Sequence, residues 1–192
     1  MGTTQPIRSK KNIEMMKKYF LERGEVRNYT LFTVGINVPL RISDLLALQW
    51  KDVYNFRISS WKEHINVIEK KTGKKNMLAL NSTAVGALKK HWKHIEHPVL
   101  PEEYIFTAQN HWNKSISRVS AYLIIHNAAE ELGIADIGCH SLRKTFGYHA
   151  WKKGVHIALI MSIYNHSSVE ITKRYLCIEQ IDKDDVFRKM NL

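Results

Sequence analysis

Apolar residues in this 192-residue chain recur at helical spacings of three and four except in one stretch, and that exception constrains the fold most. Between Phe56 and Leu80 the spacing drops to two. Phe56 and Ile58, then Ile65 and Val67, alternate as the two faces of a strand require, and Met77 to Leu80 can pair back across a turn at Thr72-Gly73. The expectation is a mainly α chain with a small antiparallel β-sheet inserted early, an α+β fold. The hairpin tip then carries a lysine-rich run, with Lys70 and Lys71 before the turn and Lys74 and Lys75 after it.

Helices are expected on both sides of that insert. Ser9 to Glu22 has Ile13, Met16, Tyr19 and Phe20 on one side, and a second helix runs from about Val26 to Ile36. Pro39 permits a break before a helix starting near Arg41, whose apolar side is Ile42, Leu45 and Leu46. Asn81 or Ser82 can cap a helix through Ala84, Leu88, Trp92 and Ile95. Ile116, Val119, Leu123, Ile124 and Ala128 mark another from Ser115 to Leu132, stopped by Gly133. Further helices are expected at Ser141 to Lys153, Ile157 to Tyr164, Val169 to Leu176 and Glu179 to Met190.

A hydrophobic content of 44% is enough to bury one sizeable core, so residues 1–192 are expected to form a single domain. The net charge of +11 favours an anionic partner. Aromatics set among lysines, as in His91-Trp92-Lys93 and Trp151-Lys152-Lys153, suit a surface that meets sugar and phosphate. No apolar run approaches the roughly 20 residues of a membrane span and the first residues are polar and basic, so a cytoplasmic location is expected. Cys139 and Cys177 are too few for a disulfide or metal framework. His91, His94 and His97 walk around a helix rather than repeat on one face, which reads as a solvated surface and not a zinc site. No cofactor or metal is expected.

The chemistry concentrates in Arg41, Lys71, His140, Arg143, His166 and Tyr175. Phosphoryl transfer needs a nucleophile, cations on the nonbridging oxygens and a proton for the leaving group. Tyr175 supplies a phenol with an ordinary pKa of about 10, which needs a base or a strong positive potential to ionise, and His140 with the two arginines can provide that. Arg41 and Arg143 offer the planar fork that suits a phosphate clamp. His166 can donate a further hydrogen bond, and Lys71 can protonate a departing 5′-oxygen. Asp44, three positions after Arg41, is expected to brace that arginine. Lys70, Lys74 and Lys75 are candidate DNA phosphate contacts.

These residues stand in motifs that resemble the tyrosine recombinase, or phage integrase, family: Leu40-Arg-Ile-Ser-Asp-Leu-Leu-Ala-Leu-Gln-Trp50, Lys71-Thr-Gly-Lys74, His140-Ser-Leu-Arg143-Lys-Thr-Phe146, Tyr164-Asn-His166-Ser-Ser168 and Thr172-Lys-Arg-Tyr175. The resemblance covers about residues 10 to 180. It implies a catalytic-domain fold, double-stranded DNA as partner, a 3′-phosphotyrosine intermediate formed without metal or ATP, and a tetramer on two DNA sites. It also implies that the helical core-binding domain usual before this one is absent, and that a separate core-binding domain or directionality factor can act as partner. The implied function is site-specific recombination or integration for a phage or mobile element. The alternatives are a type IB topoisomerase and a DNA-binding accessory protein of the same fold without catalysis. Departures from the pattern include Asp44 for Glu, Lys144 where His is frequent, Tyr164 for Leu and Asn165 for the Gly before His166. The last of these bears on whether the backbone there needs a positive φ.

Overall fold

The computed structural model describes residues 4–108 and 113–178, together with Asp182, Asp184, Phe187, Arg188 and Met190. Helix α1 (Lys10–Glu22) begins where the Ser9 hydroxyl accepts the Asn12 amide. It packs on α2 (Val26–Asn37), which is buried continuously from Thr30 to Ile36. A helix so enclosed belongs at the centre of the structure, and α2 touches α1, α5 and α7. Gly35 makes the approach of α7 possible, since a Cβ there would lie 2.7 Å from the Leu142 Cδ1.

After two short helices, α3 (Ile42–Leu45) and α4 (Trp50–Val53), come two separate two-stranded antiparallel sheets rather than one. The first pairs β1 (Tyr54–Asn55) with β2 (Ser60–Trp61). Phe56 and Ile58, expected in a strand, fall in the turn between them. The Asn55 side chain takes the Arg57 amide at 3.1 Å and Ser59 adopts a φ of 49°, so local turn chemistry wins over alternation. The second sheet is the expected hairpin, β3 (His64–Ile68) with β4 (Lys75–Ala79), in the register Ile65 opposite Leu78. The turn closes through Gly73, at a φ of 67°, whose amide donates to the Glu69 carbonyl at 2.8 Å.

Helix α5 (Ser82–Lys93) is capped by Asn81. His91 on it is not on a solvated face: it is buried beside Trp50, and its Nε2 lies 2.8 Å from the Ile105 carbonyl. Helix α6 (Arg118–Glu131) starts three residues later than expected. Ser115 is instead bridged to Thr107, with its hydroxyl donating to the Leu46 carbonyl at 2.6 Å, and Ser117 caps the helix. Its Ala121, Ile125, Ala128 and Ala129 face inward, while Val119 and Leu123 are exposed.

Helices α7 (Cys139–Lys152), α8 (Ile157–Ile163) and α9 (Val169–Tyr175) complete the described secondary structure and share a small core of Ile160, Tyr164 and Leu176. The helix expected over 179–190 falls mostly outside the described residues. Asp182, which is described, is buried against α7 of its own chain, accepting the Tyr148 hydroxyl at 2.9 Å and the Lys152 ammonium at 3.1 Å. Among the described residues no helix is long and apolar enough to cross a membrane.

Candidate active site

Arg41 caps the N-terminus of α3, where the buried Val38 and Leu40 anchor the preceding backbone. Its guanidinium does not meet Asp44 as expected; the ion pair is with Glu69, at 2.5 Å. Asp44 is buried and accepts the Lys70 amide at 3.1 Å. It therefore braces the lysine hairpin rather than the arginine. A side chain in the first turn of a short helix reaches whatever packs above it, and here that is the strand end, not the helix cap. Lys71 stands in the β3–β4 turn, exposed together with Lys70, Lys74 and Lys75.

Arg143 lies on α7, 3% exposed, and is held from both sides. One terminal nitrogen donates to the Pro39 carbonyl at 2.6 Å and the other to the Tyr164 carbonyl at 2.9 Å. Two of its five N–H groups suffice for this, leaving the rest for a ligand. The Tyr164 ring lies 4.6 Å beneath the guanidinium, and the Tyr164 hydroxyl donates back to the Arg143 carbonyl at 2.5 Å. The Leu-to-Tyr departure thus supplies an aromatic bed for the arginine. Gly147 opens the space for it, because a Cβ there would collide with the Tyr164 Oη.

Asn165 adopts a φ of 53°, so the residue that stands for glycine takes the left-handed conformation which asparagine tolerates. His166 then turns toward α9, its Nδ1 3.1 Å from the Thr172 hydroxyl. Thr172 donates its own proton to the Ser168 carbonyl at 3.1 Å. It must therefore accept from the His166 Nδ1–H, which leaves Nε2 unprotonated in the neutral ring. Burial, with help from the Arg143 and Arg41 charges, pushes His166 down to about 4. Donation from Nε2 to a phosphate oxygen hence requires a second proton, which the negative charge of a bound phosphate favours.

Tyr175 ends α9, with ring centroids 5.2 Å from His166 and 5.6 Å from Tyr164. Burial holds its phenol above the ordinary value, opposed by Arg143 and Arg41 and by hydrogen bonding to the Arg143 side chain. Buried Lys144 lies over the same ring at 5.5 Å and donates to the Thr4 carbonyl at 2.5 Å. His140, in the first turn of α7, stays below the usual histidine range through burial and the neighbouring Lys144, Arg143, Lys71 and Arg41. Cys139 next to it is inert, as burial pushes its thiol up to about 11.

Two openings meet at His140. An open cleft of about 890 Å³ is lined by Arg41, Lys70, Lys71, Lys114, Arg118 and His140 among others. A neighbouring cavity of about 1150 Å³ includes His140, Lys144 and Tyr175. The six expected residues are thus gathered in one region, with Tyr175 reached from the cavity side. Sequence reasoning missed Glu69, Lys114 and Arg118. Nothing in periodicity separates a buried Glu69 from the charged run around it, and Lys114 and Arg118 join the cleft only through the path of the chain between α5 and α6.

The histidines also set a pH dependence. His91, His140, His149 and His166 are all lowered in the folded state, burial being the first cause in each. Below the ordinary value of 6.5 and down to about 4 the unfolded chain binds more protons than the folded one, so stability falls as pH falls. A melting midpoint lower at pH 5 than at pH 7.5 by roughly 5 °C is expected by calorimetry; an unchanged midpoint would contradict these neutral histidines.

The mainly helical fold with its small antiparallel sheets is that of DNA recombinase catalytic domains. The Phage integrase family model matches residues 8–180, and the chain belongs to that family of tyrosine recombinases. It is 41% identical over 180 residues to the probable integrase/recombinase YoeC of Bacillus subtilis (strain 168), covering 94% of this chain and 93% of that protein. Among solved structures it is similar to the XerA recombinase, with a TM-score of 0.76 and 18% identity over all of this chain and 66% of that one. It is also similar to the XerH site-specific recombinase bound to its palindromic difH substrate in a post-cleavage complex, with a TM-score of 0.75 and 17% identity over 97% of this chain. The chain spans about half of that XerH chain, 53%.

Proposed function

We propose that this chain is the catalytic domain of a site-specific DNA recombinase or integrase of a phage or mobile element, which cleaves and rejoins double-stranded DNA through a 3′-phosphotyrosine intermediate. The observation that carries the reading is the convergence of Arg41, Arg143 and His166 on Tyr175: the His166 ring lies 5.2 Å from the Tyr175 ring, and the Arg41 and Arg143 charges act on both. Arg41 and Arg143 hold the nonbridging oxygens of the scissile phosphate. The Tyr175 oxygen attacks phosphorus while the bond to the 5′-oxygen breaks, and Lys71 from the hairpin turn gives that oxygen its proton. The phenol proton passes to a neutral imidazole, His140 or His166. Attack by another 5′-hydroxyl reverses the steps and reseals the strand. Lys70, Lys74, Lys75, Lys114 and Arg118 line the path of the DNA backbone, and four copies on two sites complete the exchange. A core-binding domain or directionality factor is the partner that selects the site.

Incubation with a nicked suicide duplex in EDTA tests this. The expected result is a covalent protein–DNA adduct whose nucleotide-bearing peptide maps to Tyr175. DNA binding without any adduct, with or without an added core-binding domain, would favour the accessory binder of the same fold.

A further inference from the structure

Glu69 is an unexpected residue in a site built to receive an anion. It directly follows β3, is 1% exposed, and lies two residues before Lys71. One carboxylate oxygen, Oε2, takes both the Arg41 guanidinium at 2.5 Å and the Thr72 hydroxyl at 2.7 Å. Its backbone carbonyl takes the Gly73 amide at 2.8 Å and its amide donates to the Lys74 carbonyl at 3.0 Å, so the same residue closes the lysine turn. The other oxygen, Oε1, is buried without a hydrogen bond, as is the Asn165 Nδ2. Burial alone would raise this carboxyl, but the Thr72 hydroxyl and the Arg41 charge outweigh that and hold it below the usual carboxylate range.

We propose that Glu69 is a positioning residue for strand cleavage: its carboxylate ties Arg41 of the phosphate clamp to the turn that carries Lys71, so that both are set relative to one phosphate before DNA binds. The inference rests on the recombinase reading above. The physical need is plain. Arg41 and Arg143 are close enough for the charge of one to act on the other, and without a fixed anion they would repel and spread in the free protein. Glu69 neutralises one of them while leaving most of its N–H groups for the ligand. The Thr72 contact passes the same constraint to the residue next to Lys71. A preset clamp and proton donor lower the barrier because nothing has to reorganise when the phosphate arrives.

Glu69→Gln keeps the shape and removes the charge. Subtracting a negative charge beside a bound phosphate cannot weaken binding by itself, so DNA affinity is expected to equal or exceed that of the wild type. Single-turnover cleavage is expected to slow by about 10- to 100-fold, less than the roughly 10²- to 10³-fold lost when a stabilising group is removed outright, because Arg41 and Lys71 are displaced and not deleted. On a duplex whose scissile 5′-oxygen is replaced by sulfur, a leaving group that needs no proton, the part of the defect due to Lys71 should disappear and the part due to Arg41 remain. Thr72→Val leaves the buried ion pair intact and serves if Glu69→Gln does not fold. Its smaller defect should vanish on the sulfur substrate. Wild-type cleavage rates in the variants, affinity falling in step with rate, or an unchanged defect on the sulfur substrate would each overturn the proposal. Failure of the wild type itself to form an adduct would instead remove the recombinase reading on which it rests.

Discussion

Tyr175→Phe is expected to abolish adduct formation on the nicked suicide duplex, a loss of about 10⁴-fold or more, comparable to removing the nucleophile from other covalent enzymes. The substitution takes away one oxygen and little else. The ring remains between His166, Tyr164 and the Lys144 ammonium, at 5.2, 5.6 and 5.5 Å, so the packing of α9 is kept. Losing the hydroxyl relieves a desolvation cost and removes a hydrogen bond to the Arg143 side chain, two effects of opposite sign. The melting midpoint should therefore stay close to that of the wild type, and DNA affinity should hold. Residual cleavage near the wild-type rate would mean that another group attacks phosphorus, and the assignment of Tyr175 would fall.

Arg143→Ala is expected to cost both chemistry and stability. The carbonyls of Pro39 and Tyr164 lose donors at 2.6 and 2.9 Å in a buried setting, and leaving a buried acceptor unsatisfied costs about 1–3 kcal/mol. The Tyr164 ring loses the cation above it, worth about 1 kcal/mol more. A destabilisation of about 3 kcal/mol is expected, which for a chain of this size lowers the melting midpoint by roughly 10 °C. Measured well below both midpoints, cleavage should still be slower by about 10³-fold, the effect of deleting one preorganised oxyanion donor. Arg143→Lys should restore little, since one ammonium cannot span two carbonyls and a phosphate. An alanine variant that melts as the wild type does would show that the two carbonyl contacts contribute nothing to the fold.

Much of this architecture is written locally. Ser9, Asn81 and Ser168 each accept an amide at the start of the helix they precede, as their residue type suggests. The turn at Thr72-Gly73 places Lys71 at a hairpin tip because glycine at positive φ closes it. Where local signals compete, the reading failed. Phe56 and Ile58 alternate like a strand, yet the Asn55 side chain and Ser59 backbone make a turn. His91 looks like part of a basic helix face, yet the helix turns it beneath Trp50.

The sequence by itself singled out the candidate catalytic groups, because phosphoryl transfer demands particular residue types, and Arg41, Lys71, His140, Arg143, His166 and Tyr175 stand in recognisable motifs. Only the tertiary structure decided how those groups are held. Asp44 fixes the hairpin and Glu69 fixes the arginine, the reverse of what helical spacing suggests. Arg143 is oriented by carbonyls from opposite ends of the chain, and His166 has its tautomer set by Thr172. Hydrogen bonds and ion pairs act over about 3 Å in space, and a sequence records distance only along the chain.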